Sequence, residues 1–234
     1  MVPLHSREGL SGEGPAAERV RRHYDRLAPT YAGKANRACN RAYRALLLRH
    51  LHEAGRVLEV GAGSSDLLAT LEAPFKVACD YTVRMLSARG PTVGVSCLAA
   101  DGARMPCADA SFDAVFSINL LEHVSAPRAL LAEARRVLVD GGLCVVVTPN
   151  GDHERLLDVL EWLHAKLPEG PHRFLTFAML EETAAGLFEI VEHRRFLAFP
   201  AGPDPVVRAV DRLCGEDHGW GLFQYAVLRK GSDA

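Results

Sequence analysis

Between residues 56 and 148, short apolar runs alternate with amphipathic stretches, and this alternation constrains the fold more than any other feature of the chain. The runs at 56–60, 75–79, 93–100, 113–118 and 143–148 are almost wholly apolar. A strand with one wet face would alternate apolar and polar residues, so these read as strands buried on both sides. The stretches at 64–71, 82–89 and 126–139 read as helices, the last ended by Asp140-Gly141-Gly142. Strand–helix–strand units of this kind build a parallel sheet covered by helices on both faces. Upstream, 15–27 and 36–55 read as two helices, with Pro15 near the start of the first and Gly55 closing the second. Downstream, 153–167, 177–187 and a short 206–213 read as helices, and 188–199 and 220–230 as two strands.

A chain of 234 residues builds one good core, so a single domain over 1–234 is expected. Within it, 1–14 reads as flexible, 15–55 as an N-terminal helical lid and 151–215 as insertions on the substrate side. A net charge of -2 provides no global field for nucleic acid or a membrane surface. The six cysteines are scattered with no CxxC pair, which speaks against zinc and fits reduced thiols in a cytoplasmic protein. No run approaches the roughly 18 apolar residues of a membrane span, and the first ten residues lack the apolar core of a signal peptide.

Chemistry enters at "RVLEVGAGSSDLL", where an apolar run stops at Gly61-Ala62-Gly63. In an open parallel sheet, ligands bind beyond the C-terminal strand ends. A dinucleotide fingerprint needs a third glycine where this chain has Asp66, whose carboxylate would repel a pyrophosphate. A P-loop needs a lysine that is absent here, and the nearest approach to G-x-S-x-G, Gly94-Val95-Ser96-Cys97-Leu98, lacks its last glycine. A nucleoside without phosphates remains. Asp80 lies about 20 residues beyond the glycines, where an acid can take both ribose hydroxyls. Asp101 ends the third strand and can accept from an exocyclic amine, and Glu59 stands just before the first glycine. Asp80 and Asp101 can also serve as helix N-caps, and Glu59 can simply accept backbone N–H bonds. Three acids at consecutive strand ends suit a cationic, adenosine-bearing ligand.

In this arrangement the chain resembles the class I S-adenosyl-L-methionine-dependent methyltransferases, and within them the small-molecule type of quinone-precursor and natural-product enzymes. Glu59-Val60-Gly61-Ala62-Gly63 matches the family's acid-x-G-x-G, with Ser65 at its frequent third glycine. "CDYTVRML", "ADGARMP", "SFDAVFSINLLEHV" and "PRALLAEARRVLVDGGLCVVVTPN" match the motifs that follow, in order. The resemblance implies an α/β, Rossmann-like doubly wound sheet of seven strands, mostly parallel with an antiparallel last strand. It implies S-adenosyl-L-methionine held by Glu59, Gly61, Ala62, Gly63, Asp80, Tyr81, Asp101, Gly102, Asn119 and Leu120. It also implies a lid in which Tyr24 and Tyr31 close the site, with an arginine of "NRACNRAYR" near the cofactor carboxylate.

The reaction so implied is in-line displacement of a methyl group onto a small-molecule acceptor, an oxygen being favoured over nitrogen or carbon. A hydroxyl acceptor needs a base, and His123, His153 and His172 are the candidates. Similar quinone-precursor enzymes carry E-x-x-E-H at 119–123 and can bind a metal. Asn119 replaces the first Glu, so no metal is expected. The apolar helix at 153–167 can roof a pocket, form a homodimer face or join the core. A non-catalytic cofactor-binding subunit and a nicotinamide oxidoreductase stand as alternatives.

Overall fold

The computed structural model describes residues 15–31, 37–154, 156–157, 172–197, 205–207, 209–210 and 220–232. Seven strands form one sheet: β1 (Arg56–Val60), β2 (Phe75–Asp80), β3 (Val95–Ala99), β4 (Phe112–Ile118), β5 (Leu138–Pro149), β6 (Glu189–Phe196) and β7 (Phe223–Arg229). Their order is β3-β2-β1-β4-β5-β7-β6. All neighbours are parallel except β7, which runs against both β5 and β6. The expected doubly wound sheet with an antiparallel last strand is therefore present. The order reverses between β1 and β4, and that crevice is where an open α/β sheet binds ligands.

Among the described residues, the sheet is accompanied by α1 (Pro15–Tyr31), α2 (Arg37–Leu51), α3 (Val83–Ala88), α4 (Pro127–Val137) and α5 (Phe177–Ala184). One face of the sheet, carrying Val57, Ala78, Phe116, Val145 and Tyr225, packs on Leu46, Leu47 and Leu51 of α2 and Leu86 of α3. The opposite face, carrying Leu58, Val60, Val115 and Val146, packs on Leu130, Leu131, Ala134 and Val137 of α4 and Leu180 of α5. The alternation Val57/Leu58 across the two faces is the two-residue strand period. The α4 positions repeat at helical spacing. Each such Leu or Val stabilises by about 2 kcal/mol relative to exposure.

Two expected elements differ. The helix expected at 64–71 is a single 3-10 turn, Leu67–Thr70. Its polar start is used in a turn: the Leu67 amide donates to Ser65 Oγ, and Pro74 soon follows. The helix expected to reach Val139 stops at Val137, and β5 begins at Leu138, through the Asp140-Gly141-Gly142 stop. There Gly141 N donates to Lys230 O and Lys230 N donates to Gly142 O, so the end of β7 keeps the glycine pair in the sheet. The expected flexible segment 1–14, most of the 153–167 helix and half of the 206–213 helix lie outside the described residues; within these two stretches, positions 154, 156–157, 206–207 and 209–210 are helical as expected.

The loop between β3 and β4 is fastened to α4 by Glu133 and Arg136. Met105 N donates to Glu133 Oε1 at 2.6 Å, and Arg136 donates to the carbonyls of Met105 and Cys107. Gly102 lies in this loop, where a Cβ would stand 2.7 Å from Val60 Cγ1. The loop can therefore lie against the end of β1, and it carries Asp101 with it.

Candidate functional site

The glycine turn after β1 uses its own amides internally. Gly61 N and Ala62 N both donate to Cys79 O at 2.9 Å, and Gly63 N donates to Asp80 Oδ2 at 2.8 Å. An anion-binding turn presents such N–H groups outward. With all three engaged within the protein, these amides do not point at a phosphate. Gly61 sits at φ +73°, and a Cβ there would meet the Leu120 side chain at 2.8 Å. Leu120 thus folds over the turn from the end of β4, across the crevice where the strand order reverses.

Asp80 is largely buried and accepts from Gly63 N and, at 2.7 Å, from Thr82 N. Burial raises its pKa, and the two amides oppose that rise. A carboxylate offers about four acceptor directions, so capacity for hydroxyl donors remains. Asp101 accepts from Ala103 N at 2.9 Å. Neither acid is a helix N-cap: each closes a turn with the residue two positions on, and the residue that precedes α3 is Thr82. Tyr81, next to Asp80, is half exposed.

Glu59 is 2% exposed and lies 3.4 Å from Nη1 of Arg89, at the end of α3. Burial pushes its carboxyl up to about 7, against the opposing pull of Arg89 and the Ser65 hydroxyl. Arg44 of α2 donates to Asp66 at 2.6 Å, so an arginine of the "NRACNRAYR" segment is anchored beside the glycine turn.

At the end of β4 the chain turns sharply. Asn119 has φ +51°, outside the region L-residues favour, and its amide donates to Val147 O. Its Nδ2 reaches the Tyr43 hydroxyl at 3.4 Å, while its buried Oδ1 has no partner among the described residues. A strained residue with an orphaned buried acceptor marks a place where a ligand donor belongs. The 3-10 turn Leu121–His123 follows. Glu122 is buried there and accepts from Thr148 Oγ1 at 2.9 Å. His123 Nε2 lies 3.0 Å from the Tyr24 hydroxyl, and the His123 ring stands edge-on to His172 with centroids 6.3 Å apart. His172 in turn packs on Phe174, and Arg173 N donates to Glu122 O at 2.7 Å.

The structure therefore joins Tyr24, His123 and His172 from three separate segments. It places His153 elsewhere, against the Trp220 ring at 5.2 Å, beside an Asp152–Arg195 ion pair. Tyr31 ends α1, and its side chain lies outside the described residues. Arg89, Tyr43 and Thr148 carried no sequence signal, because each gains its meaning from a partner distant along the chain.

These residues fit S-adenosyl-L-methionine. Acids at the ends of β1, β2 and β3 suit a cationic nucleoside, the Gly61, Ala62 and Gly63 amides are already engaged within the protein, and the Asn119 Oδ1 offers an acceptor. When bound, this cofactor supplies a methyl group on a sulfonium. Residues 58–146 match the family model described as a methyltransferase domain. A demethylmenaquinone methyltransferase of Roseiflexus sp. (strain RS-1) is 30% identical over 160 residues, covering 63% of this chain and 67% of that protein. The chain is an S-adenosyl-L-methionine-dependent methyltransferase.

A ubiquinone biosynthesis O-methyltransferase of Cereibacter sphaeroides (strain KD131 / KCTC 12085) is 28% identical over 164 residues, covering 65% of this chain and 62% of its own. The methyltransferase thus spans just under two thirds of that relative's length. A crystal structure of a SAM-dependent methyltransferase from Thermotoga maritima superposes with a TM-score of 0.71 at 22% identity, covering 90% of this chain and 99% of that one. That similarity is one of fold.

Proposed function

We propose that this methyltransferase transfers a methyl group by in-line displacement to a hydroxyl oxygen of a small phenolic or quinol acceptor, with the Tyr24–His123 pair taking the proton. The observation that carries this reading is the 3.0 Å hydrogen bond between Tyr24 and His123. It links the N-terminal helix to the turn after β4, beside the crevice where the cofactor belongs. His123 is 7% exposed and Tyr24 half-buried, so Tyr24 is the outer member of the pair. An acceptor proton taken by the Tyr24 oxygen passes, with the tyrosine's own proton moving inward, to Nε2 of His123. Imidazole is the side chain best suited to hold a proton transiently near neutral pH. Packing of His172 on the His123 ring fixes its orientation. The names of two relatives, a demethylmenaquinone methyltransferase and a ubiquinone biosynthesis O-methyltransferase, support a quinone-related acceptor, and the second of them names oxygen. Helix α1, packed against α3 and bonded to His123, acts as a lid, and residues 151–215 supply the acceptor side.

The test is a panel of phenols, catechols and quinols with S-adenosyl-L-methionine, read as S-adenosylhomocysteine formed. Turnover on a hydroxyl acceptor is expected, and Tyr24→Phe, which breaks the proton path to His123, lowers kcat by about 100-fold. Turnover confined to amines or carbon acids, with Tyr24→Phe unaffected, would overturn the reading.

A further inference from the structure

Arg89 is an unusual residue to find inside this fold. Its side chain is 2% exposed, and it reaches inward from the end of α3 to the equally buried Glu59. Arginine is almost never buried without an ionic partner, because its guanidinium is always charged. The described residues offer this one a single contact: Nη1 meets Glu59 Oε2 at 3.4 Å, while Nε and Nη2 have no hydrogen-bond partner among them. Glu59 is two residues before Gly61, on β1 between Ala78 of β2 and Phe116 of β4. The Ser65 hydroxyl also bonds it. The pair carries no net charge, so it acts on its surroundings as a dipole whose negative end, Glu59, stands on the strand that runs into the cofactor turn.

We propose that Arg89 is a positioning residue for the cofactor site, holding Glu59 beneath the glycine turn as an anion that favours the cationic S-adenosyl-L-methionine over its demethylated product. The two ligands share adenosine, ammonium and carboxylate groups, and differ by one methyl and one positive charge on sulfur. Groups that touch the shared parts, such as Asp80, bind both alike. A buried dipole with its negative end toward the turn acts beyond direct contact, because the low-dielectric interior screens it weakly. The titratable groups that face Glu59 are Arg89 from α3 and Asp80 at the end of β2. Asp80 is itself an acid, so Arg89, helped by the Ser65 hydroxyl, opposes the tendency of burial to neutralise Glu59. A site that binds the methylated cofactor better than the product clears the product after turnover.

Calorimetric titration of the full chain with S-adenosyl-L-methionine and S-adenosylhomocysteine, run at about pH 8 so that the Glu59 carboxyl, which titrates at about 7, is ionised, tests this without an acceptor. In Arg89→Met the Glu59 carboxyl neutralises, and affinity for the methylated cofactor falls about tenfold while that for the product changes less than about threefold. Arg89→Lys, which keeps a cation, retains most of the wild-type ratio. Should Arg89→Met fail to fold, the double variant Glu59→Gln/Arg89→Met buries no charge and reads the same ratio. An unchanged ratio in a folded Arg89→Met or double variant overturns the proposal, with the cofactor assignment left standing. Wild-type protein that binds neither ligand would instead overturn the cofactor assignment.

Discussion

The two sides of the crevice are built on opposite plans. On the side of β1 and β2, function rests on local backbone: Asp80 bonds Gly63 N and Thr82 N, and the glycine turn folds onto Cys79 O. On the side of β4 it rests on side chains from remote segments, with Tyr24 and His123 lying 99 residues apart. The first plan suits the proposed cofactor half, whose geometry is held by backbone. The second leaves the acceptor to residues that can change without disturbing the sheet. The lesson is that a binding half and a reacting half can be altered separately.

Four substitutions test that separation, taken from the largest effect downward. His123→Gln is expected to lower kcat by about 100- to 1,000-fold, the usual worth of a positioned base, with binding of S-adenosylhomocysteine unchanged by calorimetry. A loss of cofactor affinity as large as the loss in kcat would break the comparison.

Glu59 comes next, through pH. Its carboxyl titrates at about 7 in the folded chain against 4.5 for the free group. The folded state therefore holds a proton that the unfolded chain has released across this window. Stability from this group is full below about pH 4.5, declines as pH rises, and levels off above about 7, a change of about 3 kcal/mol. Denaturant unfolding of Glu59→Gln, compared with wild type from pH 5 to 8, should lack this slope. A parallel pair of curves would show that the site beneath the turn is not a buried acid.

Asp80→Ala is expected to weaken both S-adenosyl-L-methionine and its product by about 100-fold, since two charged hydrogen bonds to hydroxyls are lost. Equal loss for both ligands sharpens the contrast with Arg89. At the small end, Arg44→Ala breaks the exposed Arg44–Asp66 pair. It should shift urea unfolding by no more than about 0.5 kcal/mol. A larger shift would mean that α2 holds the turn more tightly than its surface position implies.

Much of the binding half was legible along the chain. The strand ends at Val60, Asp80 and Ala99 follow from apolar runs bounded by glycine or acid, and each acid there is next to or within two residues of its own strand end. Boundaries were less legible where partners intervene. The Asp140-Gly141-Gly142 stretch reads as a helix stop, yet pairing with the end of β7 keeps it in β5. Of three candidate histidines, nothing local separates His153 from the other two. Only packing against Trp220 rather than against His123 does so.

By itself, then, the sequence determined the order of strands and helices and the acids that line the nucleoside side, because periodicity and turn chemistry act between near neighbours. Tertiary structure decided which tyrosine meets which histidine and which arginine is buried against Glu59. Those pairings bring together residues whose types are common and whose separations along the chain carry no period. Only closure of the sheet and docking of α1 and α3 select them.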